Sequence, residues 1–384
     1  MRTYTMLMRL ALAAAAVISL VPMSAMAADP IKIGVILPLS GPSSLAGSEV
    51  LTGITLAFEE VNAAGGLLGR PIEMIKEDDE GVPTKGVTAA KKLIERDNVV
   101  GIVGTYNSTV ALVIAEAARA ARVPVVAGGS TAISVTDANK AGDPWFFRPY
   151  PGSIEQATQS AQDVIKKLKK TRIAILYENT PYGRSLMESF EKLTAPLGAT
   201  IVSKESYNQG DQDFFTQLAK LRNLKPDGVY LGGLIGEGAA IVRQAAETGL
   251  KTQFIGSGGM MSDKFIELAG PASEGFAVST MYEPNTANQT GRAFGERYKK
   301  RFGVNANVHS ALGYDGARVM TNGIAKAGVT DRVKIRDAIV AAKSLPLVEG
   351  PPGTMSTFDD KGGVSFRIGL AIVKNGVREL MPFD

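Results

Sequence analysis

Short apolar runs rich in β-branched residues alternate with helix-length amphipathic stretches along most of this chain, and that alternation limits the fold more than any other feature. Ile31-Lys32-Ile33-Gly34-Val35-Ile36-Leu37 reads as a buried strand closed by Pro38, and residues 48–62 carry apolar side chains at helical spacing until Ala63-Ala64-Gly65-Gly66 stops them. A strand over 71–76, a helix over 84–96, a strand over 99–103, a helix over 110–121 and a strand over 123–127 follow. At Arg172 the same order begins again, with strands over 172–177, 200–205, 227–231 and 252–256 and helices ending at 197, 224 and 248 between them. Alternation of this kind gives a parallel sheet covered on both faces. Two such series predict two α/β units joined near Pro149, because 384 residues exceed what one compact core holds. A strand over 275–281, helices over 291–302, 308–327 and 334–342 and a strand over 365–373 are too little for a third unit and are expected to complete the first two.

Two of the strands end alike. Val103 leads into Gly104-Thr105-Tyr106-Asn107-Ser108-Thr109, and Ala127 leads into Gly128-Gly129-Ser130-Thr131. Such hydroxyl and amide side chains can cap the next helix, which is all that most turns of this type do. A helix N-terminus also presents free N–H groups and the positive end of the helix dipole, which suit an anion such as a carboxylate. The carboxyl ends of parallel strands lie along one edge, where open α/β folds bind ligands, so the two turns are expected to be neighbours in space.

Residues 1–27 read as a secretory signal peptide: Arg2 and Arg9, an apolar run over 10–21, then Ala25-Met26-Ala27 before the cleavage point. The run is shorter than the roughly 20 apolar residues that cross a bilayer. With no cysteine in the sequence, disulfides, thiolate metal sites, a cysteine nucleophile and a lipidated cysteine are excluded. Export without such an anchor points to a soluble protein of the periplasm. The formal charge of +4, two fewer without Arg2 and Arg9, is too small to argue for nucleic acid or an anionic membrane. Lys166, Lys167, Lys169 and Lys170 cluster on what reads as a solvated helix end. His309 is the only histidine, which excludes a two-histidine metal centre, and at the start of a helix it reads as structural. Gly233-Leu234-Ile235-Gly236-Glu237-Gly238 lacks the dinucleotide spacing, and neither a Gly-x-Ser-x-Gly elbow nor a phosphate loop occurs. The chain is therefore expected to hold no cofactor and not to be an enzyme.

Ile31-Lys32-Ile33-Gly34-Val35, Leu39-Ser40-Gly41-Pro42, Asn62-Ala63-Ala64-Gly65-Gly66, Phe147-Arg148 and Leu250-Lys251-Thr252-Gln253-Phe254 together resemble the periplasmic binding proteins of branched-chain amino acid ABC transporters. The resemblance covers nearly all of the chain after the signal. It implies a type I periplasmic binding protein fold, α/β, with two doubly wound parallel-sheet lobes joined by three crossover strands. The implied lobes are 28–149 with 281–354, and 150–280 with 355–384. It also implies a ligand in the cleft between the lobes, closure on binding, and delivery to an ABC permease in the inner membrane by a monomer that binds no nucleic acid. The ligand carboxylate is implied to lie against Asn107, Ser108, Gly129, Ser130 and Thr131, with Thr131 and the Gly129 carbonyl also serving an amino group and Tyr182 reaching in from the second lobe.

Three positions depart from the family pattern. Gly258 stands where amino-acid binders place an acidic residue against the ligand ammonium, Leu234 where a tyrosine is found and Ala46 where a tryptophan is found. A buried ammonium without an opposing charge costs several kcal/mol, so the leading expectation is a carboxylate ligand that needs no ammonium, an aromatic or branched aliphatic acid. A branched-chain or other hydrophobic amino acid, its ammonium served by Gly129, Thr131, water or Asp315, is the alternative, and a periplasmic ligand sensor of the same fold is a third. Tyr106 and Tyr150 either stack on a flat ligand or pack at the lobe surface.

Overall fold

The computed structural model describes residues 29–286 and 288–381, and the expected signal peptide lies outside the described residues. The first sheet contains β1 (Ile31–Leu37), β2 (Ile72–Asp78), β3 (Ile102–Gly104), β4 (Val125–Val126) and β5 (Phe146–Phe147), ordered β2-β1-β3-β4-β5. All its pairs are parallel. The second contains β6 (Arg172–Glu178), β7 (Thr200–Tyr207), β8 (Gly228–Gly232), β9 (Gln253–Gly256), β10 (Ala277–Thr280), β11 (Gly369–Lys374) and β12 (Val377–Leu380), ordered β12-β11-β10-β9-β8-β6-β7. The two sheets are the cores of two α/β lobes, as the resemblance implies. Strands β3, β4, β5 and β8 are buried along their whole length, as strands covered on both faces must be.

The second sheet is not parallel throughout: β11 runs against β10, and β12 runs against β11. Asn375 (φ 53°) and Gly376 (φ 73°) make the two-residue turn between β11 and β12. Asn-Gly with both φ positive is the chemistry of a tight hairpin, a local signal that outranks the long-range alternation.

In each sheet the strand order reverses once, between β1 and β3 and between β6 and β8. A crevice opens beyond the carboxyl ends of the strands at such a point. The helix Val308–Ala327 lies against the helix Ser44–Ala63, and the approach is close because each supplies a glycine. A Cβ on Gly53 would stand 1.9 Å from the Ser310 carbonyl oxygen, and one on Gly313 would stand 2.2 Å from that of Val50. A reciprocal cap starts the longer-range partner: the Ser310 N–H donates to Asn307 Oδ1 (3.0 Å) and the Asn307 N–H to Ser310 Oγ (2.9 Å). This fixes the first turn, and with it His309, at the cleft.

The connections between the sheets run side by side. The Gly350 N–H donates to the Met281 carbonyl (2.8 Å), while Arg148 exchanges backbone bonds with Gly362 and Val364 and donates through Nε to the Tyr150 carbonyl. Short helices Ile133–Asp137 and Asp263–Ala269, and the longer Ser153–Gln162, add to the expected elements. Among the described residues no helix is long and apolar enough to cross a membrane.

Candidate ligand site

Tyr106, Asn107, Ser108, Gly129, Thr131, Tyr182, Leu234 and Gly258 line one cavity, whose atom-free space is about 490 Å³. Nearly every lining residue stands just beyond the carboxyl end of a strand: Tyr106 to Thr109 after β3, Gly129 and Thr131 after β4, Glu178 to Tyr182 at and after β6, Leu234 after β8, Gly258 and Gly259 after β9, Met281 after β10. Gln156 comes from the helix Ser153–Gln162, and His309 and Leu312 come from Val308–Ala327.

The two glycine-hydroxyl turns meet as expected. The Ala132 N–H donates to Ser108 Oγ (3.2 Å), the Ser130 N–H to the Thr105 carbonyl (3.2 Å), and the Tyr106 ring lies where a Gly129 Cβ would be, 2.3 Å from its nearest carbon. The helix Ser108–Ala121 takes Asn107 as its N-cap, yet no side chain caps it. Asn107 Nδ2 turns instead to Ser43 Oγ (3.0 Å), and its Oδ1 is buried without a partner. The N–H groups of Ser108 and Thr109 open the first turn and have no carbonyl four residues back within the helix. Because Ser108 Oγ accepts from Ala132, its own proton remains free to donate.

Among the described residues no lysine or arginine lines the cavity. What the lining offers instead is oriented N–H and O–H dipoles, which suit an anion at helix N-termini.

His309, read from sequence as structural, is a wall of the cavity. Its Nδ1 is 2.7 Å from Glu49 Oε2, its Nε2 is 3.2 Å from the Tyr106 hydroxyl, and the two rings meet edge to face at 5.4 Å. Burial holds the Tyr106 phenol far above its usual range, and burial pushes Tyr182 up to about 12, so both stay neutral donors. The Gly259 N–H donates to the Tyr182 hydroxyl (3.2 Å). Glu178, one residue past the expected strand over 172–177, also lines the cavity. Burial, reinforced by nearby Glu237, raises its carboxyl to about 8.

Other sequence candidates lie elsewhere. Ser130, Tyr150 and Ala46 are buried but do not line the cavity. Tyr150 points its hydroxyl at the Ser130 carbonyl (3.5 Å), which makes packing at the inter-sheet connection its role rather than stacking on a ligand. Asp315 does not replace the acid absent at Gly258. Its carboxylate accepts from the N–H groups of Val348 and Glu349 and from Arg318 Nη1, fully buried behind the helix. Among the described residues no group of three or more histidine, cysteine or acidic side chains is placed to hold a metal ion.

Two α/β lobes with a cavity built at the carboxyl edges of both sheets define a bilobal solute-binding protein. The periplasmic binding protein family matches residues 30–376, and the chain belongs to that family. The Leu/Ile/Val-binding protein homolog 2 of Brucella abortus (strain 2308) is 29% identical over 348 residues, 90% of this chain and 91% of that one. The solved leucine binding protein LivK of Thermotoga maritima MSB8 has a TM-score of 0.84 at 30% identity, covering 92% of this chain and 98% of its own. A solute binding protein of R. palustris solved with benzoate shares the fold, with a TM-score of 0.82 at 22% identity over 92% and 95%. Relatives of this kind are solute-binding proteins of transporters, and the chain is accordingly not an enzyme.

Proposed function

We propose that this protein is the solute-binding component of an ABC importer that captures a small hydrophobic carboxylate between its lobes and presents it to a membrane permease. The observation that carries the reading is the uncapped N-terminus of Ser108–Ala121 opening into a cavity that, among the described residues, is lined by no lysine or arginine. The carboxylate lies against the Ser108 and Thr109 N–H groups, the Ser108 hydroxyl and Thr131. Leu234, Leu312, Met281 and the rings of Tyr106 and Tyr182 supply an apolar surround for the rest of the ligand. Gly258 and Gly259 leave room there.

Two ligand chemistries suit this clamp. An aromatic or branched aliphatic acid was the leading expectation because an acid is absent at Gly258. Glu178 removes that ground by bringing a carboxyl into the cavity from the end of β6, so a hydrophobic α-amino acid is the better supported of the two. The names of the Leu/Ile/Val-binding and leucine-binding relatives agree with it. The lobes take part as 28–149 with 281–354 and 150–280 with 355–384, moving about the neighbouring connections near Pro149, Met281 and Thr354. The working form is a monomer, exported by its signal peptide.

Native mass spectrometry of the purified protein, followed by a thermal-shift panel of leucine, valine and phenylalanine against their deaminated acids, tests the reading. Stabilisation by at least one of these carboxylates is expected. No shift with any of them, together with an empty native spectrum, would overturn it.

A further inference from the structure

Glu178 is the last residue of β6 and borders the cavity, yet it is 2% exposed and, among the described residues, no lysine or arginine lines the same space. The groups around it deepen the negative end. Glu237, 4% exposed in the first turn of the helix Ile235–Glu247, lies close enough to act on its charge, and Glu237 accepts a bond from the Gly210 N–H (2.7 Å). Tyr207 is buried beside Gly233, where a Cβ would stand 1.7 Å from its hydroxyl, and that hydroxyl has no partner. Tyr182 and Tyr106 line the same cavity as neutral phenols near enough to feel the Glu178 charge, and His309, in the same cavity wall, is engaged by Glu49. Of these groups Glu178 lines the cavity, with Glu237 and the unpartnered Tyr207 hydroxyl outside the lining, and a carboxyl so placed with no lysine or arginine among the described lining residues suits a positive charge. The dipole clamp of Ser108 and Thr131 bounds the same cavity and takes a negative one.

We propose that Glu178 is the specificity-determining acid of this protein, receiving the ligand's ammonium in place of the acid absent at Gly258, and that ligand capture expels a proton from Glu178 to solvent. The inference rests on the capture reading above and names the group that selects amine-bearing ligands within it. In the ligand-free cavity burial and the neighbouring Glu237 keep Glu178 protonated, in accord with its raised pKa of about 8. An arriving ammonium favours the carboxylate, so the carboxyl O–H bond breaks heterolytically, its electron pair stays on Glu178, and the proton leaves to buffer. A ligand without nitrogen gains nothing from this exchange and meets a neutral carboxyl instead.

Calorimetry of the wild-type protein with leucine and with isocaproate, its ammonium-free counterpart, tests the proposal. Titrations in buffers of different ionisation enthalpy count the protons released. Leucine is expected to release close to one proton at about pH 7, and its affinity to rise roughly tenfold per unit between about pH 6 and about pH 8 before levelling off. Glu178→Gln is expected to abolish the release and weaken leucine by at least about tenfold, while isocaproate binds the variant no more weakly than the wild type. Leucine binding without proton release, or isocaproate binding where leucine does not, overturns the role of Glu178 and leaves carboxylate capture standing. Failure of leucine, phenylalanine and isocaproate alike overturns both. The wild-type proton count decides the matter even if the variant fails to fold.

Discussion

Ser262 Oγ donates a 2.7 Å hydrogen bond to Glu49 Oε1, joining the second lobe to the first. The other oxygen of Glu49 holds His309 Nδ1, and His309 Nε2 meets the Tyr106 hydroxyl in the cavity wall. One unbroken run of polar contacts therefore links the ligand cavity to a bond that exists only while the lobes are together. Gln209 Nε2 makes a second such bond to Ser43 Oγ (2.8 Å), and Ser43 in turn holds Asn107.

Removing the Ser262 hydroxyl should speed ligand release. Ser262 also caps the helix Asp263–Ala269 through the Lys264 N–H, so Ser262→Gly is the gentler variant, costing a cap only a few tenths of a kcal/mol. Loss of a bond to a charged acceptor is worth about 1.5–3 kcal/mol, which stopped-flow fluorescence should register as a dissociation rate raised roughly tenfold or more. An unchanged rate would show that the bond does not hold the closed form.

Ser108→Ala should weaken a carboxylate ligand by about 1.5–3 kcal/mol, the range for a hydrogen bond to a charged group. The same change leaves the Ala132 N–H without its acceptor, so a small loss of stability accompanies it. Calorimetry separates the two, and undiminished affinity would place the carboxylate elsewhere.

Gly129→Ala tests how closely the two turns must fit. The new methyl would lie 2.3 Å from Tyr106 Cδ2, so the ring must leave its place and with it the contact to His309. Overpacking of this kind costs about 1–3 kcal/mol in thermal or urea unfolding, and binding should fall with it. A variant as stable and as tight-binding as wild type would mean that the Tyr106 position is not rigid.

Stability in the absence of ligand should fall as pH rises above the ordinary carboxylate range. Glu349 is fully buried with neither carboxyl oxygen bonded, and burial together with Asp315 raises its pKa well above the usual value. A raised acid keeps its proton in the folded chain at a pH where the unfolded chain has lost it, so each added pH unit favours unfolding. Glu178 works in the same direction up to about 8. Urea unfolding of Glu349→Gln between about pH 5 and about pH 8 should show a flatter decline and a gain on the order of 2 kcal/mol at the upper end. A decline as steep as that of the wild type would sink this assignment.

Alternating apolar runs and helical periods made both sheets legible, because a covered parallel strand must be apolar on both faces and a covering helix on one. The helix at Val308–Ala327 matched its expected bounds, since Asn307 and Gly328 mark its ends chemically. Expected boundaries slipped where tertiary contacts set them: the helix at Ser44 starts four residues before the periodic stretch, and β3 begins at Ile102 rather than 99. The meeting of the two turns at one cavity was legible for a local reason, two similar turns at the ends of strands that end on one edge. Glu178, His309 and Gln156 were not, because one acid at a strand end or one histidine in a helix carries no sign of what folds against it. The strand-order reversal between β6 and β8 was the signal available for Glu178.

The clamp without cations has a bearing on unloading. A guanidinium or ammonium left behind by a departing anion is an orphaned charge that must be rehydrated, and it holds its guest back accordingly. Peptide N–H groups and hydroxyls leave no such debt: once the lobes part, water replaces the guest on each of them at little cost. On the proposed reading, the cavity around Ser108 and Thr131 grips an anion while shut and lets it go as soon as it is wet.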